Sequence, residues 1–539
     1  MATTTTKTTA VLDDAHVGDI RGALGTIRVD DNGARSTMSA RLKTLLAIVG
    51  PGLIVMVGDN DAGAFSTYGQ AGQNYGTRLL WTLLLLVPVL YVNQEMVLRL
   101  GAVTGVGHAR LILERFGKFW GAFSVIDLFI LNALTLVTEF IGITLAAGYL
   151  GVPKVLAVAL AAVVIIASAF TGSFRRFERI AVTFCLGSLL LIPLFVMVHP
   201  SASSMTHGFL VPGLPGGSGQ MATVMLLVIG IVGTTVAPWQ LFFQQSYVID
   251  KRITPRFMKY EKTDLCIGIV IVVIGGGALM GVAAAAFGGH GGFTDAAGLA
   301  HGIAAYAGRA AGVIFAIALL DASIIGAFAV SLSTAYAVGD VLGLNHSLHR
   351  GIKQAKGFYA IYALLIGLAA TIVLIPGSPL GLLIEGVQVL AGVLLPSATV
   401  FLLLLCNDRA VLGPWVNRRP TNIFTSTVIA ILITLSVILT ASVLFPEITS
   451  GQIVVITIAC AVVSAVFGAV LLVRRRRAEL PVEDPEFEDR NNWRMPPLNR
   501  LTAPAISGGR KAGLTALRLY LLIAMILVIV KVVETALGH

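Results

Sequence analysis

In residues 50–72, GPGLIVMVGDNDAGAFSTYGQAG, an apolar stretch is interrupted by Asp59, Asn60 and Asp61 in succession. Carboxylates and a carboxamide are oxygen donors, the ligand type of hard cations. An ionisable side chain at membrane depth is costly and by default marks a functional site. Gly58 and Gly63 weaken a helix, and Asp and Asn compete for its backbone hydrogen bonds. The segment should therefore unwind, and its freed carbonyls beside the Asp61 carboxylate would form a cation site. The plainer alternative is a short re-entrant element that ends at Asp59–Asp61 near the outer face.

A second interruption falls in residues 225–251, MLLVIGIVGTTVAPWQLFFQQSYVIDK, at Gly233-Thr234-Thr235-Val236-Ala237-Pro238. Pro238 removes a backbone donor and clashes with the preceding turn, which frees carbonyls around Thr234. Alone, it would be an ordinary kink. Two interrupted helices five spans apart instead predict an inverted-repeat transporter with its substrate between the breaks. The other intramembrane ionisable residues are Glu95, Asp127, Glu139, Asp321 and Glu385. Glu95 and Arg99 are four apart on one helix and should pair. Arg175–Arg179 with Glu178 reads as a solvated loop, and His290 and the Gly-rich 212–219 segment read as outer loops.

These residues need membrane helices to hold them. The chain has 539 residues, 56% apolar and 12% charged, with a mean hydropathy of +0.87. Its apolar residues fall in blocks of about 20, the length that crosses a hydrocarbon core, which excludes a cytosolic enzyme. Spans are predicted near 47–66, 79–100, 121–148, 153–171, 180–198, 221–247, 264–287, 311–341, 357–376, 382–406, 423–445, 452–473 and 517–536. Lys and Arg alternate between the connections, with six in the tail before the first span and one, Arg78, in the first hairpin. The positive-inside rule puts the N-terminus in the cytoplasm. The basic 474–511 segment belongs on the same side after twelve spans. The last block is either a thirteenth span or an interfacial helix interrupted by Lys531.

The organisation expected is a mobile polar cytoplasmic tail at 1–43, a transporter core at 44–406 and peripheral spans at 407–473. A basic cytoplasmic segment at 474–516 and an apolar helix at 517–539 follow. The net charge of +10 reflects loop topology, because no aromatic and basic interleaving of a nucleic-acid platform is present. Cys185, Cys266, Cys406 and Cys460 lie in apolar blocks without a CxxC pair and read as small core residues. The N-terminal residues lack the apolar region of a cleaved signal peptide. No GxxxxGK or HExxH motif occurs, so no intramembrane enzyme and no bound cofactor are expected.

The residues resemble the natural resistance-associated macrophage protein (NRAMP) family of divalent metal transporters through the first ten or eleven spans. The likeness lies in Gly50-Pro51, Gln70-Ala71-Gly72 with Tyr75-Gly76, Leu79-Leu80-Trp81, Gln94, Gly101 with Thr104-Gly105, and Glu139-Phe140-Ile141-Gly142. It continues in Gln388, Leu395-Pro396 and Asn407-Asp408-Arg409 with Gly413. The family's first-helix motif is Asp-Pro-Gly-Asn and its sixth-helix motif is Met-Pro-His. Asp61 and Gly63 match the first, with Ala62 and Ala64 departing. Pro238 matches the second, while Ala237 stands for the methionine and Trp239 for the histidine. Gln245 sits where the family often has another histidine, and Leu136 replaces an acidic residue one turn before Glu139. The chain thus looks like the divergent branch of NRAMP-related magnesium transporters.

A thioether is a soft ligand favouring transition metals, so Ala237 removes that bias. The remaining candidates, Asp61, Asn60, Asp59, Thr234, Gly58 and Gln388, are oxygen donors, and the missing methionine leaves room for a Mg²⁺ ion that keeps several waters. Trp239 fills part of that space or simply packs. Glu139 is left nearly alone as a titratable group, which predicts weak or absent proton coupling; Asp321 is the other candidate for a proton or gating role. Uptake down the electrical gradient would suffice, at about 4.6 kcal/mol per 100 mV for a divalent ion.

The resemblance implies an all-α polytopic membrane protein with a LeuT-like inverted repeat of two five-helix units. It implies transport of Mg²⁺ and/or Mn²⁺ across the cell membrane by alternating access. Three other readings are a proton-coupled Mn²⁺/Fe²⁺ importer of the standard type, an amino-acid permease of the same architecture, and a non-transporting receptor or channel-like protein. An acidic Asp61 disfavours a substrate carboxylate at that place. Beyond the metal ion and the lipid bilayer, no nucleic acid and no obligate protein partner are expected.

Overall fold

A computed structural model of the chain describes residues 14–215, 221–375, 380–445, 448–478, 490–501 and scattered positions from 513 to 530. Ten helices among the described residues are long and apolar enough to cross a membrane. With the shorter apolar helix Lys154–Ala169 and the broken first span they make twelve. The block 517–536 lies for the most part outside the described residues.

The second to fifth spans are Trp81–Thr104, Lys118–Tyr149, Lys154–Ala169 and Phe174–Val198. The sixth is broken into Met221–Thr235 and Pro238–Asp250, and Met258–Phe287, Arg309–Leu342, Lys356–Val373 and Leu380–Cys406 complete the core. Arg419–Leu444 and Ser450–Ala478 lie outside it. The first span differs from its expected limits. It runs as Pro51–Val57 and Ala62–Tyr75, so its second half continues well past residue 66. Asp61 restarts the helix as N-cap, accepting from Ala64 N at 2.9 Å, a bond that satisfies a donor left free at any helix start. Pro51 and Pro238 occupy first-turn positions, where proline's missing N–H costs nothing.

The third span packs along the eighth, the seventh along both halves of the first, and the tenth along the first half of the sixth, Met221–Thr235. Glycine permits the closest approaches. A methyl group on Gly52 would lie 2.6 Å from Leu265 N, and one on Gly276 2.9 Å from the Tyr68 ring.

Residues 14–35 are a correction to the mobile tail. They form a short turn and a two-stranded antiparallel hairpin pairing Ile20 with Ile27, and they pack on the end of the bundle that carries most of the basic residues. Ile20, Ala23 and Ile27 are buried; burying a side chain the size of Ile contributes about 1.5–3 kcal/mol. The 175–179 segment is likewise no solvated loop. Glu178 is fully buried with Lys251 at 2.7 Å, and Arg175 and Arg179 bond hairpin carbonyls. A hydrophilic composition concealed this packing because the partners lie some 150 residues away in sequence. Glu95 and Arg99 do pair, at 3.1 Å, and Lys262 joins Glu95 at 2.7 Å. Cys185 and Cys406 are buried, but Cys266 is exposed and Cys460 half-buried, so only two of the four are core residues.

Candidate functional site

The first helix unwinds at residues 58–61, between its two halves. In a continuous helix Ala62 N–H would donate to Gly58. Here it donates to Glu139 Oε2 of the third span, at 3.2 Å, which releases the Gly58 carbonyl. In the sixth helix Pro238 has no N–H, so the Thr234 carbonyl loses its helical donor as well. Ala237 is extended at this point (φ −77°, ψ 141°) and presents only a methyl group.

The two breaks are tied to each other. Gln240 Nε2, two residues past Pro238, donates to Asp59 Oδ1 and, at 3.4 Å, to the Thr235 carbonyl. Gln94 of the second span donates to Gln240 Oε1 at 2.8 Å. Tyr68 and Thr235 share a hydroxyl–hydroxyl bond of 2.7 Å, and the Trp239 indole reaches the backbone at Gly58, where an added methyl would be 3.7 Å from Cη2. Trp239 therefore covers the first break.

Asp59, Asn60 and Asp61 are all buried, with Glu139 fully so. Asp61 and Glu139 both face Gly326 of the eighth span, where an added methyl would lie 2.9 Å from Asp61 Cβ and 2.8 Å from Glu139 Oε2. Gln388 reaches in from the tenth span, and its amide and Asp61 Oδ1 both crowd the bare face of Gly63. Asn60 turns its amide to the Val272 carbonyl of the seventh span, at 3.3 Å.

Around these bonds five buried polar atoms have no hydrogen-bond partner among the described residues: Asp59 Oδ2, Asn60 Oδ1, Glu139 Oε1, Thr234 Oγ1 and Gln388 Nε2. Buried polar atoms are almost always satisfied, and several left open at one place call for a ligand or water. Among the described residues no three His, Cys, Asp or Glu side chains converge as a ligand set. An ion here would complete its shell with amide, hydroxyl, carbonyl and water oxygens, the pattern of a hard cation that stays partly hydrated.

Of the residues singled out from sequence, Gly58, Asp59, Asn60, Asp61, Thr234, Ala237, Gln388 and Glu139 gather at the breaks. Asp321 does not. It faces Gly187 of the fifth span, and on its helix it lies about 140° around from Gly326, the residue that touches Asp61 and Glu139. Ser323 bonds Leu319, not Asp321. Asp127 lines a small separate cavity with Ser124, Pro238, Phe242 and Ser397. Glu385 meets Gln70.

Sequence reasoning missed Gln240, a polar residue in an apolar helix two positions after the proline. It also missed His108, in the connection between the second and third spans. His108 Nδ1 bonds Gln245 at 2.9 Å, and Gln245 Nε2 holds the Val106 carbonyl at 2.8 Å. Burial holds the His108 pKa down at about 4, so this imidazole stays neutral at ordinary pH.

The profile of the family described as natural resistance-associated macrophage protein-like matches residues 52–442. The chain is 31% identical over 401 residues to a divalent metal cation transporter MntH from Ralstonia nicotianae, covering 70% of this chain and 87% of that one. It is 27% identical over 427 residues to the MntH of Burkholderia ambifaria, covering 75% and 92%. Among solved structures, a manganese transporter from Eremococcus coleocola, in complex with an aromatic bis-isothiourea substituted compound, superposes with a TM-score of 0.59 at 19% identity. That match covers 81% of this chain and 96% of that one, and it establishes the fold.

Proposed function

From the fact that this chain belongs to the natural resistance-associated macrophage protein-like (Nramp) family, a family of multi-pass membrane transporters, we infer that it moves divalent metal cations by alternating access. The ion would bind between the broken first and sixth helices. The observation that carries this is the set of five unpartnered buried polar atoms on residues at and beside the two breaks.

Asp61 is the anionic anchor in this reading. Asp59 Oδ2, Asn60 Oδ1 and the Gly58 and Thr234 carbonyls would serve as further oxygen donors. Gln388 would turn its amide oxygen to the ion, since an amide's two ends exchange by a simple rotation. Glu139 has a positioning role, fixing the unwound turn through Ala62 N. Rocking of one helix bundle against the other would expose the site to each side in turn.

Two finer features belong to the same reading. The first is a preference for Mg²⁺ with Mn²⁺ tolerated, supported by the Ala237 methyl where the family carries a soft thioether. The second is weak or absent proton coupling. It is supported by the lack of an imidazole on the sixth helix, by the placement of Asp321 away from Glu139, and by the depressed pKa of His108. In the same reading the protein sits in the cell membrane with its N-terminus and the basic end of the bundle facing the cytoplasm, as the distribution of Lys and Arg favours.

Titration of purified protein with Mg²⁺ and Mn²⁺ by calorimetry tests the site. Asp61→Asn and Gln388→Ala should each weaken binding by about tenfold or more. Unchanged affinity in Asp61→Asn would reject it.

A further inference from the structure

The N-terminal segment lies across the basic end of the bundle, and its bonds are unusual in kind. Arg175 and Arg179 of the fifth span donate to the carbonyls of Gly22, Gly25 and Ala23, at 3.0, 2.8 and 3.0 Å. Arg252, after the sixth span, donates to the carbonyls of Ala15 and Asp19 at 2.9 and 3.2 Å. Arg256, before the seventh, takes those of Asp31 and Gly33 at 2.7 and 3.1 Å. In return Ala23 N donates to Glu178 Oε2 at 2.5 Å, the carboxylate already paired with Lys251. His16 is buried beside Asp250 at 3.8 Å, and its ring lies 5.7 Å from that of His346 in the loop after the eighth span. Gly22 and Gly25 press on Ala47 in the helix Met38–Ile48 that leads into the first span, where a methyl on Gly25 would be 2.9 Å from Ala47 Cβ.

One short segment thus joins the basic ends of the fifth, sixth, seventh and eighth spans and the helix Met38–Ile48 that leads into the first. In the alternating-access reading above, one bundle rocks against the other to open the site, and a segment bonded to this many spans bridges such a movement. Packed interfaces have discrete arrangements and do not stretch continuously, so the segment cannot keep all of these bonds while the ends part. Its anchors are mostly guanidinium-to-carbonyl bonds, which hold a backbone shape and can be remade repeatedly without covalent change.

We propose that residues 14–35 form a strap that holds the basic end of the transport path closed, and that release of the strap is a step of the transport cycle. Cargo bound at Asp61 can leave towards this side only after the strap has let go. The inference rests on the alternating-access reading above and adds to it a device for controlling one gate.

Two readouts test it on protein reconstituted in liposomes. The first uses Ala47→Cys in the full chain with its four native cysteines replaced by alanine, and follows maleimide labelling from the basic side without metal. Ala47 is buried beneath the strap. Labelling should be slow and should accelerate by about tenfold or more when residues 2–35 are deleted, an opening of a protected site. The second readout is the maximal rate of Mn²⁺ entry in chains with native cysteines. Deletion of 2–35 should raise it about threefold or more with KM unchanged, and a synthetic peptide of residues 14–35 on the basic side should restore the original rate. The double variant Arg175→Gln/Arg179→Gln should move both readouts in the same direction and carries the test if the deletion does not fold. Unchanged labelling and rate in these variants would overturn the proposal. So would a loss of transport that the peptide does not reverse, since that is the mark of a merely structural segment. If labelling responds while no variant moves metal, the strap stands and the metal-transport reading fails.

Discussion

Asp61 and Glu139 meet in the interior because residue 326 is glycine. A methyl group at Gly326 would lie 2.9 Å from Asp61 Cβ and 2.8 Å from Glu139 Oε2. The eighth helix thereby sets the distance between a helix cap on the first span and a carboxylate on the third.

Gly326→Ala should consequently separate the two carboxyl groups while leaving the helices intact. Overpacking of this kind costs about 1–3 kcal/mol. Metal uptake should fall by about tenfold or more, against only a modest loss of thermal stability. Paired transport and thermal-unfolding measurements check this, and uptake equal to that of the unmodified protein would mean that the Asp61–Glu139 contact is incidental.

Glu139 serves as an acceptor for Ala62 N–H, and a carboxamide can accept equally well. Glu139→Gln should keep metal uptake within about threefold, whereas Glu139→Ala should lose about tenfold or more, because it leaves a buried donor unpaired. Initial rates for the two variants decide the point. If Gln is as damaging as Ala, the charge of Glu139 matters, and proton coupling returns to consideration.

Ala237 tests selectivity. Ala237→Met reinstates a soft ligand at the second break, and the ratio of Mn²⁺ to Mg²⁺ transport should rise by about tenfold. Competition uptake measures this ratio directly. A ratio that does not move would show that the residue at 237 does not reach the ion.

His346 supplies a dependence on pH. Burial alone would lower its pKa, but Asp340 at 3.0 Å and the Leu344 carbonyl more than offset that and hold it at about 9. A base whose folded pKa is raised contributes stability that is fully present below its unfolded value, near 6.5, and lost as pH rises through the folded value. The melting temperature should therefore fall between about pH 7 and pH 9, and His346→Gln should flatten that part of the profile. Thermal scans across this range check both.

Much of the architecture was legible in the chain because a membrane span needs a long apolar run and polar residues inside one stand out. Asp59–Asp61 and Pro238 marked both breaks for that reason, and Gln388 followed from the family resemblance. The hairpin at residues 20–27 was not legible. Its strands are two residues each, too short for any periodicity, and its anchors are arginines that composition alone assigns to solvent. Gly326 was equally hidden, since its role depends on packing against residues nearly 190 and 265 positions away in the chain. The His108–Gln245 pair brings an imidazole to the sixth helix from a connecting segment, and spacing along one helix could not reveal it.

In the proposed reading Asp61 binds a hard divalent ion whose passage does not carry protons. Uptake into proteoliposomes of Mg²⁺ and Mn²⁺ separately, with internal pH recorded and Asp61→Ala as control, tests it most directly. Saturable Mg²⁺ entry without acidification, abolished in Asp61→Ala, is the expected result. Entry of Mn²⁺ with acidification and no Mg²⁺ transport, or uptake that survives Asp61→Ala, would contradict it.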